Sequence, residues 1–262
     1  MSHWLFLMNV VFVFSSLLMV FCFFWAKQIN NYSIVDAIWA FSFFAIALLM
    51  LWLADGWLPR KILMVAVVGS WSLRLGIFLA SRISGHHPKE DNRYVMLRHR
   101  YGDSVEKGFF WFFQYQAWSV VLLSIPFVVM SMNFDAEFKS LEILGAIIAV
   151  ASVLGEAIAD AQKSAFKKKP ENKGKNCEVG LWRYSRHPNY FFEACVWLGF
   201  YLMVFSSPGG KVCIFVPLLM WLLLLKVTGV PMSEESSKNV YGQTYLDYQR
   251  RVSIFIPWFP KK

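Results

Sequence analysis

Ser33-Ile-Val-Asp-Ala-Ile-Trp-Ala-Phe-Ser-Phe-Phe-Ala-Ile-Ala-Leu-Leu-Met-Leu-Trp-Leu53 carries one ionisable side chain, Asp36, and is otherwise apolar or small. That is the roughly 20 residues a helix needs to cross the hydrocarbon core of a bilayer. Working outward, blocks of the same kind lie at about 4–25, 60–80, 109–131, 140–160, 190–206 and 211–230. The block at 190–206 is short, and 133–142 must turn the chain in few residues. The pattern predicts an all-α polytopic membrane helix bundle with about seven transmembrane helices. Composition agrees. The 262 residues are 57% hydrophobic, 18% aromatic and 16% charged, with a mean hydropathy of +0.44. That excludes an ordinary water-soluble domain, which is nearer a quarter charged.

The first block has no basic n-region, runs longer than an h-region and ends at Trp25-Ala26-Lys27 without a small-x-small site, so it reads as a retained helix. Cys22, Cys177, Cys195 and Cys213 have neither metal nor redox spacing and read as inert thiols, and no metal site is expected. Of the 26 Lys and Arg, 20 fall in 26–32, 81–108, 161–189 and 231–262, and 4 fall in the alternate connections. By the positive-inside rule the N-terminus lies outside and the C-terminus is cytoplasmic. The net charge of +9 is accounted for by that topology and by contact with membrane lipids; no nucleic-acid partner is expected. With no internal repeat or low-complexity linker, 1–262 reads as a single integral membrane domain.

Charged groups at membrane depth are expensive unless they face a partner or a wet cavity, so each marks a site. Asp36 opens the second block, with a cap role beside Ser33 as the alternative, and Arg74 lies deep in the third. Glu156 and Asp160, four apart, share a helix face that Lys163 and Lys167 continue. Lys226, near a helix end, can snorkel. The densest constellation is Gly180-Leu-Trp-Arg-Tyr-Ser-Arg-His-Pro-Asn-Tyr-Phe-Phe-Glu193. Pro188 suits the first turn of a helix, which puts Asn189 and Glu193 one turn apart on one face. Arg183 and Arg186 can fork onto phosphate oxygens, and Trp182, Tyr184 and Tyr190 can stack on a planar ring. These residue types suit an adenine nucleotide. An interfacial aromatic and basic belt is the competing explanation, to which Asn189 and Glu193 would add nothing.

Together with Glu156–Phe166, Trp71–Gly76, Asp91-Asn-Arg-Tyr94 and the ending Tyr245-Leu-Asp-Tyr-Gln-Arg-Arg…Phe255-Ile-Pro-Trp-Phe, this segment resembles the bacterial membrane proteins of the DUF1295 group. That group is allied to steroid 5-alpha-reductases and sterol C14-reductases, and more distantly to isoprenylcysteine carboxyl methyltransferases. The resemblance implies a seven-helix bundle, in a bacterial inner membrane, that binds NADPH from the cytoplasm in its half at about 140–262. A lipophilic enone, 3-oxo-Δ4-steroid-like or a related lipid, would enter from the bilayer and take a hydride at its conjugated double bond. By position, Asn189 and Glu193 would hold the nicotinamide amide and ribose. Asp160, Lys163 and Lys167 would serve the adenosine and phosphate end with Arg74, Arg93, Arg183 and Arg186, while Tyr184, His187, Tyr190 and Tyr248 complete the cofactor set. Steroid 5-alpha-reductases use a glutamate and a tyrosine as their acid pair. Here the nearest carboxylate is Asp36, kept protonated by apolar surroundings as the catalytic acid, and the tyrosine position reads as Trp71, whose indole cannot give up a proton. Ser237 stands near the place of a histidine in those reductases.

The same resemblance leaves a second reading, an S-adenosylmethionine-dependent membrane methyltransferase with Glu234-Glu235 near the adenosine. The abundance of Arg and Lys favours NADPH over it. A lipid-binding or assembly protein without catalysis is the third.

Overall fold

The computed structural model describes residues 2–227 and 229–261, which form eleven α-helices and no strand. They are α1 (His3–Gln28), α2 (Ile34–Leu53), α3 (Leu58–His86), α4 (Asn92–Tyr101), α5 (Val105–Leu123), α6 (Ile125–Ser131), α7 (Ser140–Lys168), α8 (Pro188–Val204), α9 (Phe215–Leu222), α10 (Val230–Tyr241) and α11 (Gln243–Arg251). Among the described residues six helical stretches are long and apolar enough to cross a membrane: α1, α2, α3, α4 to α6, α7, and Gly210–Tyr241 around α9 and α10. The chain is an integral membrane protein built as an all-α bundle. The seventh apolar block folds as α8, whose 17 residues span about 25 Å. That is at the short end of what crosses hydrocarbon, so six stretches have the length and composition of a span where the sequence predicts about seven.

The described residues divide into two compact units. One holds residues 1–143 and 201–216, the other 144–200 and 217–262.

In the first unit the turn between α2 and α3 is pinned by backbone. Gly56 N–H donates to Ser131 O at 3.0 Å and Trp57 N–H to Asn133 O at 2.9 Å. A Cβ on Gly56 would stand 2.3 Å from Ser131 O, so only glycine allows this approach. Beside it Arg60, fully buried, donates Nε to Glu142 Oε1 at 2.7 Å, Nη1 to Asp135 O at 2.6 Å and Nη2 to Glu137 O at 2.6 Å. One guanidinium thus ties the start of α3 to the loop before α7. Deeper in, the Ser72 hydroxyl of α3 sits in the α2 ladder, accepting from Phe44 N–H at 3.1 Å and donating to Ala40 O at 2.6 Å. It bridges two backbone groups that a regular helix would pair with each other.

In the second unit α7 and α8 run antiparallel at close range. A Cβ on Gly199 would stand 2.7 Å from Gly145 O and 2.8 Å from Ala149 Cβ, and one on Gly155 would meet the Phe192 ring. Small residues let membrane helices approach in this way. The contacts extend from Gly145 to Asp160 along α7, which places α8 alongside a membrane-crossing helix.

Candidate functional site

The first unit holds three of the expected site residues. Asp36, in the first turn of α2, accepts from Arg93 Nη2 at 2.8 Å and from the Tyr94 hydroxyl at 2.7 Å. Both α4 residues thus use it as an acceptor, which corrects the expectation that it lies in apolar surroundings. Its alternative cap role changes too, since Ser33 makes no side-chain cap bond and its Oγ accepts Asp91 N–H at 3.0 Å. Arg93 is committed to Asp36 and Asp91, so the expected cofactor contact from Arg93 is replaced by docking of α4. Burial opposes charge on Asp91, yet the guanidiniums of Arg93 and Arg82 outweigh it and hold the carboxyl at about 2. Glu90 completes the junction, accepting Tyr32 N–H at 2.6 Å and Arg98 Nε at 2.5 Å. Arg74 lies in α3 with its guanidinium 5.7 Å from the Phe78 ring centroid. Trp71 is wholly buried between the Trp39 and Phe43 rings.

The other expected residues lie in the second unit, around the turn that precedes α8. Gly180 takes φ +57°, and a Cβ there would strike the Gln162 side chain at 2.4 Å. Gln162 Oε1 instead accepts Leu181 N–H at 2.8 Å, and Trp182 Nε1 donates to Ala159 O at 2.8 Å. The turn is thereby stitched to the last part of α7. Lys163 Nζ stands 4.0 Å from the Trp182 ring centroid, a cation–π contact that fixes one face of the indole.

Pro188 opens α8 and puts Asn189 and Glu193 on one face, as the sequence predicts. Asn189 Nδ2 donates to Asp160 Oδ1 at 3.3 Å, and Glu193 Oε1 accepts Trp197 Nε1 at 2.9 Å. Glu156, Asp160 and Glu193 are all buried, so the acid pair on α7 is no solvated ladder. Asn189 Oδ1 is buried and has no hydrogen-bond partner among the described residues. Tyr190 stacks on His187, rings 5.4 Å apart and 5° from parallel. Lys167 and Arg183 are exposed. Tyr184 is half-buried, with its ring edge-on to Phe259 at 5.9 Å.

Two expected cofactor contacts are spent inside the protein. Arg186 donates Nε to Glu234 Oε1 at 2.7 Å and Nη1 to Gln249 O at 2.8 Å and Val252 O at 3.0 Å. That set corrects its assignment to a phosphate. Tyr248 is buried and donates to Trp182 O, so it braces the turn rather than meeting a ligand. Burial pushes its hydroxyl up from the ordinary tyrosine value. The carboxylate that gathers this region is Glu234, which also accepts from Gln249 Nε2 at 2.6 Å and the Tyr245 hydroxyl at 3.4 Å, with His187 Nε2 at 3.3 Å. Burial pushes the His187 imidazole below its ordinary value, against the pull of Glu234. From the sequence, Glu234 enters only through the methyltransferase alternative. Its partners lie 11 to 48 residues away, and the one local sign was an acid retained beside an apolar block.

Fold and site together define a polytopic helical membrane protein with a buried acid and amide cluster behind an Arg-His-Pro-Asn turn. Residues 22–252 match the family described as "Protein of unknown function (DUF1295)", and the chain belongs to that family. A relative from Schizosaccharomyces pombe (strain 972 / ATCC 24843), "Uncharacterized protein C594.04c", is 25% identical over 259 residues, covering 89% of this chain and 74% of that protein. No solved structure matches the chain.

Proposed function

We propose that the protein is a membrane reductase that draws a hydride from NADPH and delivers it to the conjugated double bond of a lipophilic carbonyl compound from the bilayer. The observation that carries this reading is Asn189. Its Nδ2 is turned to Asp160 while its Oδ1 is a buried acceptor without a donor among the described residues. An unmet buried acceptor is unfavourable by about 1–3 kcal/mol, which a ligand N–H would relieve. A nicotinamide carboxamide offers such an N–H. Glu193, one turn on, would lie toward the ribose, and Asp160, Lys163, Lys167 and Arg183 toward the adenosine and phosphates.

The residues present fit that cofactor at its amide and ribose end. When bound, NADPH supplies the hydride, which the chain's own groups do not. Asn189 orients, and the Trp182 turn and the Glu234 cluster hold Asn189 in place. Asp36, paired with Arg93, is left out of the proton-donating role.

A methyl-transfer reading gains from one observation, since Arg186 is withdrawn from phosphate binding by Glu234. Glu234 is equally withdrawn from S-adenosylmethionine. Thermal unfolding of the purified protein with NADPH, NADH and S-adenosylmethionine separates the two. A ligand at a hundredfold its Kd stabilises the folded state by about 2.7 kcal/mol. Stabilisation by NADPH that Asn189→Ala removes is expected; stabilisation by S-adenosylmethionine alone would transfer the site to methyl transfer.

A further inference from the structure

The last residues of the chain carry a feature that the cofactor site does not use. After α11 the backbone runs beside the turn that precedes α8, bridging it at Ser185 and Ser253. Arg186 N–H donates to Ser253 O at 2.8 Å, Ser185 Oγ to Phe255 O at 2.7 Å, and Trp258 N–H to Tyr184 O at 2.8 Å. Val252 and Phe255 point inward, and the Phe255 ring meets Phe191 of the first turn of α8 edge-on at 5.9 Å. The side chains between and beyond them point out. Ile254 is 43% exposed, Ile256 61%, Trp258 70% and Phe259 76%.

Four large apolar side chains held out on a pinned backbone are unfavourable in water and need a cover. Their place in the fold says what covers them. The segment is bonded to Tyr184–Arg186, immediately before α8, and α8 runs along the membrane-crossing α7. The exposed row therefore lies where the apolar part of α8 begins, at the boundary of the hydrocarbon. Trp is favoured at that depth, with the indole at headgroup level. The surrounding charge agrees: Lys261 is exposed on the same segment, and Arg183 is exposed on the turn it pairs with. Cations beside apolar side chains at an interface are drawn to anionic headgroups.

We propose that residues 254–261 are a membrane-interface anchor, with Ile256, Trp258 and Phe259 seated in the headgroup region of a leaflet that contains anionic phospholipid. Because the anchor's backbone is bonded to Tyr184, Ser185 and Arg186, its seating also steadies the turn that leads into Asn189. The inference stands on exposure and backbone pairing and is independent of which cofactor the protein takes.

The test is a nitroxide label at Trp258→Cys and, separately, at Phe259→Cys, in full-length protein reconstituted into vesicles of phosphatidylcholine with and without phosphatidylglycerol. A label at Lys173→Cys in the exposed loop after α7 is the water-accessible reference, and the labelled unsubstituted protein gives the background from its own cysteines. The expected result, in the phosphatidylglycerol vesicles, is loss of collisions with a water-soluble nickel chelate and a gain of collisions with oxygen relative to Lys173. The loss should be smaller in phosphatidylcholine alone. Nickel accessibility equal to that of Lys173 in both vesicles would overturn the proposal. So would loss of nickel collisions without a gain from oxygen, the mark of burial against protein. If either substitution prevents folding, quenching of the native Trp258 by brominated phosphatidylglycerol, taken as the difference from Trp258→Phe, reads the same immersion.

Discussion

Replacing Glu234 tests whether the second unit is organised as described. Its carboxylate and the Arg186 guanidinium are nearly buried, with side chains 12% and 9% exposed. In Glu234→Ala, Arg186 keeps the carbonyls of Gln249 and Val252 but loses its counter-charge, while the Gln249 amide and Tyr245 hydroxyl lose an acceptor. Removing one partner of a buried ion pair is destabilising by about 3–5 kcal/mol. At about 2–4 °C per kcal/mol, the midpoint of thermal unfolding should fall by roughly 6–20 °C. Glu234→Gln keeps an acceptor of the same shape and should lose less than half as much. Both can be followed by differential scanning fluorimetry in detergent, beside Glu235→Ala as the control. Under the proposed function NADPH affinity should fall with Glu234→Ala, because the turn that carries Asn189 loosens. A midpoint for Glu234→Ala within 2 °C of the parent would refute the view that one carboxylate gathers Arg186, Tyr245 and Gln249.

Three further outcomes follow from the geometry. Arg60→Met leaves the Glu142 carboxylate and two loop carbonyls unpaired and should destabilise by about 3–5 kcal/mol, with part recovered in Arg60→Met/Glu142→Leu; unfolding titrations of the three proteins read this, and no recovery in the double variant would contradict it. Ser72→Ala removes two hydrogen bonds that tie α3 to the α2 backbone, while Ala40 O and Phe44 N–H can still pair with each other, and should destabilise by about 1 kcal/mol, whereas Ser70→Ala, whose hydroxyl only returns to its own helix, should be near neutral in the same assay. Stability should fall with pH in two steps. The His187 imidazole lies below its ordinary 6.5 when folded, so the unfolded chain takes the proton first and stability drops as pH falls below about 6.5; Asp91 and Glu234, depressed from 3.8 and 4.5 to about 2, contribute stability that is lost as pH falls from about 4.5 toward 2. His187→Gln should remove the upper step alone in a pH series of unfolding midpoints.

The apolar blocks declared the membrane helices directly, because a span needs only length and composition. The face shared by Asn189 and Glu193 was equally readable, since Pro188 fixes the first helical residue and the 3.6-residue period does the rest. Asp36 shows where such reading stops. Its position at the start of α2 was visible, but whether it donates or accepts depends on Arg93 and Tyr94, which arrive from 57 and 58 residues away. The same holds for Arg186, which looked available for phosphate until α10 and α11 brought it Glu234, Gln249 O and Val252 O. A guanidinium read in sequence shows its charge and reach; which acceptors consume it is set by tertiary packing. The terminal segment adds a third case, since its aromatic residues matched a family ending in sequence while their outward direction depends on the bonds to Tyr184–Arg186.

The most direct test of the proposed reaction follows the hydride itself. The protein, reconstituted in vesicles, would be given NADPH deuterated at the transferable C4 position together with lipophilic conjugated carbonyl compounds, and the products analysed by mass spectrometry. The account predicts a product heavier by one deuterium at the carbon β to the carbonyl, with no transfer by Asn189→Ala. Products that gain a methyl group from S-adenosylmethionine, with no deuterium from NADPH on any acceptor, would contradict it.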